Sequence, residues 1–224
     1  MTFQLAPEEP EAGPWRAEPL TMIAPAITRR PANPAAAGRP VILAIDGRSS
    51  SGKTALAARI SNVVAGSAVV HTDDIAWRHS RFRWADLLIQ GILVPARRGS
   101  AVTFRPPRWA EHAREGAISV PTACLLLVIE GVGAGRREVA GLIDALVWVQ
   151  SDEAETRRRS LARIGAPGGP RSAAALREWM AEEGPFLARE RPWERADLIV
   201  CGTPDISYDP ATEIVIGSGS SPRS

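Results

Sequence analysis

Apolar residues in this chain fall into short unbroken runs, and between the runs they recur at helical spacing. Val41-Ile42-Leu43-Ala44-Ile45 is continuous and ends in Asp46. A strand with no polar alternation is one buried on both faces, as at the centre of a parallel sheet. Ala68-Val69-Val70-His71, Cys124 to Ile129, Ala145 to Val149 and Ala196 to Cys201 read as four more such strands. Leu56, Ile60 and Val63 follow the first run at helical spacing, and Val139, Leu142 and Ile143 suggest a short helix. A polar helix is expected over Glu153 to Arg163. Another starts from a Ser172 cap, carries Leu176, Trp179 and Met180 on one face, and stops at Gly184-Pro185. Glu213–Ile216 adds a short edge strand. Strands alternating with helices predict an α/β fold, a parallel five-stranded sheet with helices on both faces and right-handed crossovers.

The ends of the chain break this pattern. Residues 1–38 hold Pro7, Pro10, Pro14, Pro19, Pro25, Pro31 and Pro34, which leave no room for a long helix. An irregular or disordered arm is expected there, with Leu20–Ile27 lying against the body as a short strand or turn. The folded domain is placed at 39–216, and 217–224 reads as a loose, flexible tail. The 224 residues suit one domain with a sizeable core, and 45% hydrophobic with 23% charged content is ordinary for a globular chain. A net charge of +2 gives no ground for nucleic-acid or membrane binding. Cys124 and Cys201 both sit in apolar runs and read as buried thiols, which fits a reducing cytoplasm. No apolar run approaches the roughly 18 residues of a membrane span. Glu8, Glu9 and Glu11 stand where an export signal would be apolar. Assembly into a homo-oligomer stays open.

The first strand runs into Gly47-Arg48-Ser49-Ser50-Ser51-Gly52-Lys53-Thr54, which reads G-x-x-x-x-G-K-T. Strand, glycine-rich turn and helix in that order are the context in which this pattern binds phosphate. The glycines let the backbone fold with its N–H groups turned inward, and the helix N-terminus adds positive potential at the same point. Gly47, Ser49, Ser50, Ser51, Gly52, Lys53 and Thr54 are therefore candidate nucleotide-binding residues. Lys53 would reach the β- and γ-phosphates, and Thr54 would offer its hydroxyl to Mg²⁺.

Other candidate groups stand at the carboxyl ends of later strands, where open α/β sheets keep their working residues. Thr72-Asp73-Asp74 follows the second strand; one acid could accept a proton from a substrate hydroxyl and the other hold a metal-bound water. Glu130 ends the third strand and is a candidate Mg²⁺ ligand through water. Residues 75–120 are rich in aromatics and arginines and read as an excursion over the strand ends rather than a core element. Trp77, Trp84, Arg105 and Trp109 would there bind a flat or anionic acceptor; the plainer alternative makes the tryptophans core and the arginines a solvated face. Over 153–171 a basic helix and a Gly/Pro-rich loop suit a lid, with Arg159 and Arg163 on one face. Arg157 and Arg158 read as solvated. The Gly202-Thr203-Pro204 turn lies on the nucleotide side, where an adenine could rest.

Four of these features together resemble the uridine kinase-like branch of the P-loop kinases, over about residues 40–205. They are Ile45-Asp46-Gly47 through Lys53-Thr54, Thr72-Asp73-Asp74-Ile75, Ile129-Glu130-Gly131, and Arg159-Ser160-Leu161-Ala162-Arg163-Ile164. The last is similar to a lid helix reading R-R-I-x-R-D, with Ser160 and Ile164 departing from it. Ile75-Ala76-Trp77 and Phe104 to Trp109 also depart from the family's acceptor-binding stretches. The resemblance implies a three-layer P-loop sandwich with strand order 2-3-1-4-5, an ATP- and Mg²⁺-dependent kinase, Asp73 as general base, and a small-molecule hydroxyl acceptor. A nucleoside, another sugar, a vitamin precursor or an antibiotic-like alcohol is equally compatible as acceptor. The alternative from another class is a nucleotide-dependent regulatory module without small-molecule kinase activity.

Overall fold

The computed structural model describes residues 3–6, 8–23, 38–167 and 169–217. Its strands are β1 (Trp15–Pro19), β2 (Val41–Gly47), β3 (Ser67–His71), β4 (Val102–Phe104), β5 (Ile118–Val120), β6 (Leu126–Glu130), β7 (Ala145–Gln150), β8 (Leu198–Cys201) and β9 (Glu213–Gly217). Its α-helices are α1 (Lys53–Val63), α2 (Thr72–Ala76), α3 (Ala85–Leu88), α4 (Val94–Arg97), α5 (Pro107–Glu111), α6 (Glu153–Ala162) and α7 (Ala173–Glu190).

Strand β2 lies in the middle of the sheet, and its pleat divides the molecule. Ile42 and Ala44 point to one face, where Ile75, Trp84, Leu88, Ile92 and Leu93 cover them. Leu43 and Ile45 point to the other, against Leu56, Ala57 and Ile60 of α1. All four β2 side chains are fully buried, which is why the run needs no polar alternation. The sheet has seven strands in the order β1-β9-β8-β7-β2-β6-β3, not five. The five strands from β8 to β3 pair in parallel, whereas β9 and β1 join antiparallel at one edge, so the sheet is mixed. Within the parallel part the order is the one the resemblance implies, 2-3-1-4-5. Strands β4 and β5 form a separate antiparallel pair.

Four expectations change. The arm is not wholly irregular: β1 pairs with β9 from Trp15↔Gly217 to Pro19↔Glu213. The preceding residues are anchored by Glu9, whose buried carboxylate accepts from Trp148 Nε1 at 2.7 Å and Gln150 Nε2 at 3.0 Å. Residues 24–37 and 218–224, and with them part of the expected Leu20–Ile27 element and the tail, lie outside the described residues. Second, residues 85–97 are not an excursion. α3, a π-helical turn at Ile89–Leu93 and α4 run on continuously and bury Leu88, Ile92, Leu93 and Ala96. Pro95 falls inside this run and forfeits one helical hydrogen bond, directly after the π-helical turn. Gly91 is needed there, since a Cβ would meet the Phe104 ring at 2.7 Å. Third, α7 does not stop at Gly184-Pro185. It continues to Glu190, because burying Phe186 and Leu187 outweighs the hydrogen bond that Pro185 forfeits. Fourth, the short helix expected from Val139 to Ile143 is only a 3-10 turn, Arg137–Val139.

No helix among the described residues is long and apolar enough to cross a membrane. Trp84 is 2% exposed in the core beneath the sheet, and its Nε1 donates to Arg81 O at 2.7 Å. Trp84→Ala is therefore expected to cost about 3–5 kcal/mol of stability, measured from urea unfolding midpoints. A loss below about 1 kcal/mol would contradict this placement.

Candidate active site

The phosphate loop is shaped by what surrounds it. A Cβ on Gly47 would meet Val149 O at 2.7 Å and Ser51 Oγ at 2.8 Å, so only glycine lets the strand turn there. Gly52 caps α1 with φ at 102°, a left-handed conformation that favours glycine. Asp46 ties the turn to the loop after β6, accepting from the N–H groups of Gly47 at 2.7 Å, Gly133 at 2.9 Å and Gly135 at 2.8 Å. Helix geometry leaves the first N–H groups of α1 without intrahelical carbonyls, which is what an anion at that point requires. Buried Lys53 donates from Nζ to Arg48 O at 2.6 Å. The Ser49 N–H is held by the buried Glu183 carboxylate at 2.7 Å. Ser51 O accepts from Ser151 Oγ at 3.0 Å.

Parallel pairing places His71 beside Glu130 and Glu130 beside Ile45, so three strand ends meet here. The buried Glu130 accepts from Thr54 Oγ1 at 3.1 Å and pairs with His71 Nδ1 at 2.6 Å. Burial alone would raise its pKa, but the His71 hydrogen bond and the Lys53 charge outweigh that and leave it lowered. The same hydrogen bond raises the pKa of His71. A Cβ on Gly131 would collide with Thr72 Oγ1, so the chain after Glu130 also needs its glycine. Asp73 is exposed to the cavity at the head of α2 but crowded by protein behind. The resulting loss of water raises its pKa, opposed by Lys53 and reinforced by Glu130.

One cavity of about 420 Å³ joins these groups: Ser49, Ser50, Lys53, Thr54, Asp73 and Glu130 all line it. Arg163, just past the end of α6, lines it as well. Arg159 does not. Its guanidinium pairs with Glu155 at 2.8 Å and donates to Gly202 O at 3.0 Å, on the other side of the loop. Ser160, the departure from the lid pattern, is buried and donates to Ser50 Oγ at 2.8 Å, fastening α6 to the phosphate loop.

Most of the expected acceptor residues are elsewhere. Trp84 is core. Trp109 is 5% exposed; its Nε1 donates to Asp74 O at 2.8 Å and the Arg114 guanidinium lies 3.6 Å from its ring centroid. Arg105 donates to Arg114 O at 2.8 Å, away from the cavity. Trp77 packs edge-on against His112 and beside Arg78 and Arg114. Asp74, expected as a metal ligand, instead pairs with Arg114 at 2.6 Å and does not line the cavity. In their place the cavity wall is built by Ala76, His79, Arg81, Val132, Leu176 and Trp179. Arg81 bonds to Glu178 and Glu182 of α7, which brings that helix over the strand ends. Sequence reasoning missed this wall because α7 lies about a hundred residues further along than Arg81. The one available signal is the helix face of Leu176, Trp179 and Met180, which carries no indication of what it packs against.

Among the described residues no group of three or more His, Cys, Asp or Glu could hold a metal alone. The Thr54 hydroxyl and Glu130 carboxylate are nevertheless hard oxygen donors set against a phosphate cradle. That donor set suits Mg²⁺, which keeps several waters and takes one or two protein oxygens beside substrate phosphates.

The His71–Glu130 pair makes stability depend on pH. Because the His71 pKa is raised, its contribution is complete below the ordinary value of 6.5 and fades as pH climbs through the raised folded value. Because the Glu130 pKa is lowered, its share is complete above 4.5 and lost as pH falls through the lowered value. The stability difference between wild type and His71→Asn, from urea midpoints in metal-free buffer, should be largest between those two pH values. A difference that grows steadily above pH 6.5 would contradict the pairing.

No protein-family model and no curated protein sequence matches the chain. Solved structures do. A possible uridine kinase from Bacillus stearothermophilus superposes with a TM-score of 0.53 at 19% identity, over 80% of this chain and 96% of that one. A candidate fructose transport system kinase from Silicibacter sp. gives 0.51 at 18% identity, over 79% and 94%. At such identity the likeness is one of fold alone, a fold this chain shares with these two kinases.

Proposed function

We propose that this protein transfers the γ-phosphoryl group of ATP to a hydroxyl of a small molecule. The observation that carries the reading is that Lys53 and Thr54 of the phosphate loop open onto the same cavity as Asp73 and Glu130. A nucleotide-operated regulatory module would need the loop, but it would not need two carboxylates beside it in a cavity of ligand size.

In this reading the loop N–H groups and Lys53 hold the β- and γ-phosphates, and Arg163 approaches from the lid to offset charge on the moving group. Mg²⁺ bound with the nucleotide would neutralise phosphate charge, with Thr54 and Glu130 as its protein oxygens, directly or through water. His71 fixes the Glu130 carboxylate while Thr54 is engaged. Asp73 orients the acceptor and takes the hydroxyl proton as the acceptor oxygen bonds to phosphorus and the bond to the β–γ bridging oxygen breaks. Its raised pKa makes it a stronger base than an ordinary aspartate. The acceptor lies against Trp179 and Val132, with His79 and Arg81 in reach of its polar groups. A nucleoside and a free sugar, the acceptor types suggested by the names of the two solved structures, both present such a mixture of ring face and hydroxyls. The two unpaired, buried thiols fit a cytoplasmic enzyme.

ADP release with Mg·ATP across nucleosides, sugars and other small alcohols tests the proposal. At least one acceptor should raise ADP release in the wild type. Asp73→Asn should lower that rate at least about a hundredfold while leaving ADP affinity within about twofold. Undiminished turnover in the variant would remove Asp73 from the mechanism, and a panel without response would favour the regulatory module.

A further inference from the structure

A second cavity, of about 510 Å³, shares no lining residue with the first. Asp152 lines it at the N-cap of α6, Arg158 and Arg159 from the second half of that helix, and Thr203 and Pro204 from the turn after β8. Arg159 connects it to the loop, since its guanidinium reaches Gly202 O at 3.0 Å and Gly202 abuts Gly52. A nucleotide with its terminal phosphates at Lys53 and an acceptor near Asp73 has to send its base away from Asp73, and this cavity shares no lining residue with the first. Besides Ala154, Glu155 and Asp205, the wall includes Phe3, from a segment far away in sequence.

Phe3 does not hang loose at that wall. The next residue, Gln4, is pinned by its backbone to the head of α6: its N–H donates to Asp152 Oδ2 at 2.9 Å and its carbonyl accepts from Glu153 N at 2.8 Å. The ring of Phe3 rests 5.6 Å from that of Trp15. Further along, Glu9 is 6% exposed; besides Trp148 and Gln150 it meets Arg48 of the phosphate loop at 3.3 Å. Ala12 N donates to Gln150 Oε1 at 3.0 Å, and Trp15 opens the edge strand β1. Residues 3–6 and 8–19 are thus fastened at the second cavity, at the loop and at the sheet edge, as a strap. A strap that served only to cover the edge strand would need neither the contact with α6 nor the buried acid at Arg48.

We propose that this strap completes the nucleotide site, with Phe3 as an aromatic wall for the base and Glu9 holding the phosphate loop through Arg48. The ligand class is a nucleoside di- or triphosphate, so the inference rests on the proposed nucleotide reading. An aromatic ring offers every base a stacking face, and removing one such ring weakens binding by about tenfold.

The test is calorimetric titration of the full chain with Mg·ADP and, separately, with Mg·pyrophosphate, using wild type, Phe3→Ala and Phe3→Trp. Phe3→Ala should weaken ADP about tenfold and leave pyrophosphate unchanged, and Phe3→Trp should retain ADP affinity. Unchanged ADP affinity in Phe3→Ala overturns the inference, as does an equal loss for both ligands, which would place Phe3 outside the base site. A wild type that binds ADP no more tightly than pyrophosphate overturns it too, while the loop's phosphate role stands. A wild type that binds neither ligand overturns the nucleotide reading itself.

Discussion

The carboxylate of Glu130 sits where three parallel strands end. Sheet register sets it level with His71 on one side and Ile45 on the other, and its oxygens reach Thr54 and His71. A buried acid in that position is costly unless its oxygens are satisfied. The partners that satisfy it are the residue after the loop lysine and the residue two before Asp73. Folding the sheet in register therefore assembles the phosphate loop, the candidate base and the candidate metal ligand in one step. Asp46 does the same one layer back, holding the β2 turn against the glycine-rich loop that follows β6.

Around this centre, charges are held by partners rather than left to solvent. Glu9 and Arg48 are buried together, and Glu183 takes the Ser49 N–H. The altered lid pattern follows from the same packing. Ser160 is small enough to be buried against Ser50, bringing α6 directly onto the loop, where an arginine would need space and a counter-charge. Arg159 is held on the Gly202 side, and Arg163 lines the cavity of Lys53 and Asp73. Arg159 and Arg163, four apart in sequence, line different cavities.

The sheet interior was legible because each buried strand is written as a local apolar run, and the loop because its glycines and lysine are contiguous. What stayed illegible depends on contacts between distant segments. Proline spacing in the arm excludes a long helix but says nothing of an edge strand that pairs with β9 some two hundred residues later. Gly184-Pro185 is a helix stop by local rules, and tertiary burial of Phe186 and Leu187 overrides it. Trp84 and Trp109 read equally as acceptor platform or core, since an aromatic residue in an irregular stretch carries no period to say which way it faces. Asp73 and Asp74 are chemically alike and adjacent; only the position of Arg114 decides that Asp74 is tied off while Asp73 faces the cavity.

The central claim is that the phosphate loop and the Asp73–Glu130 acids form one transfer centre. Its most direct test is a crystal structure of the protein with Mg²⁺ and a non-hydrolysable ATP analogue. The account predicts the triphosphate along the loop, its γ-group in the cavity between Lys53 and Asp73, and Thr54 or Glu130 at the metal or at a metal-bound water. A triphosphate bound elsewhere, or a γ-group directed away from Asp73, would contradict it.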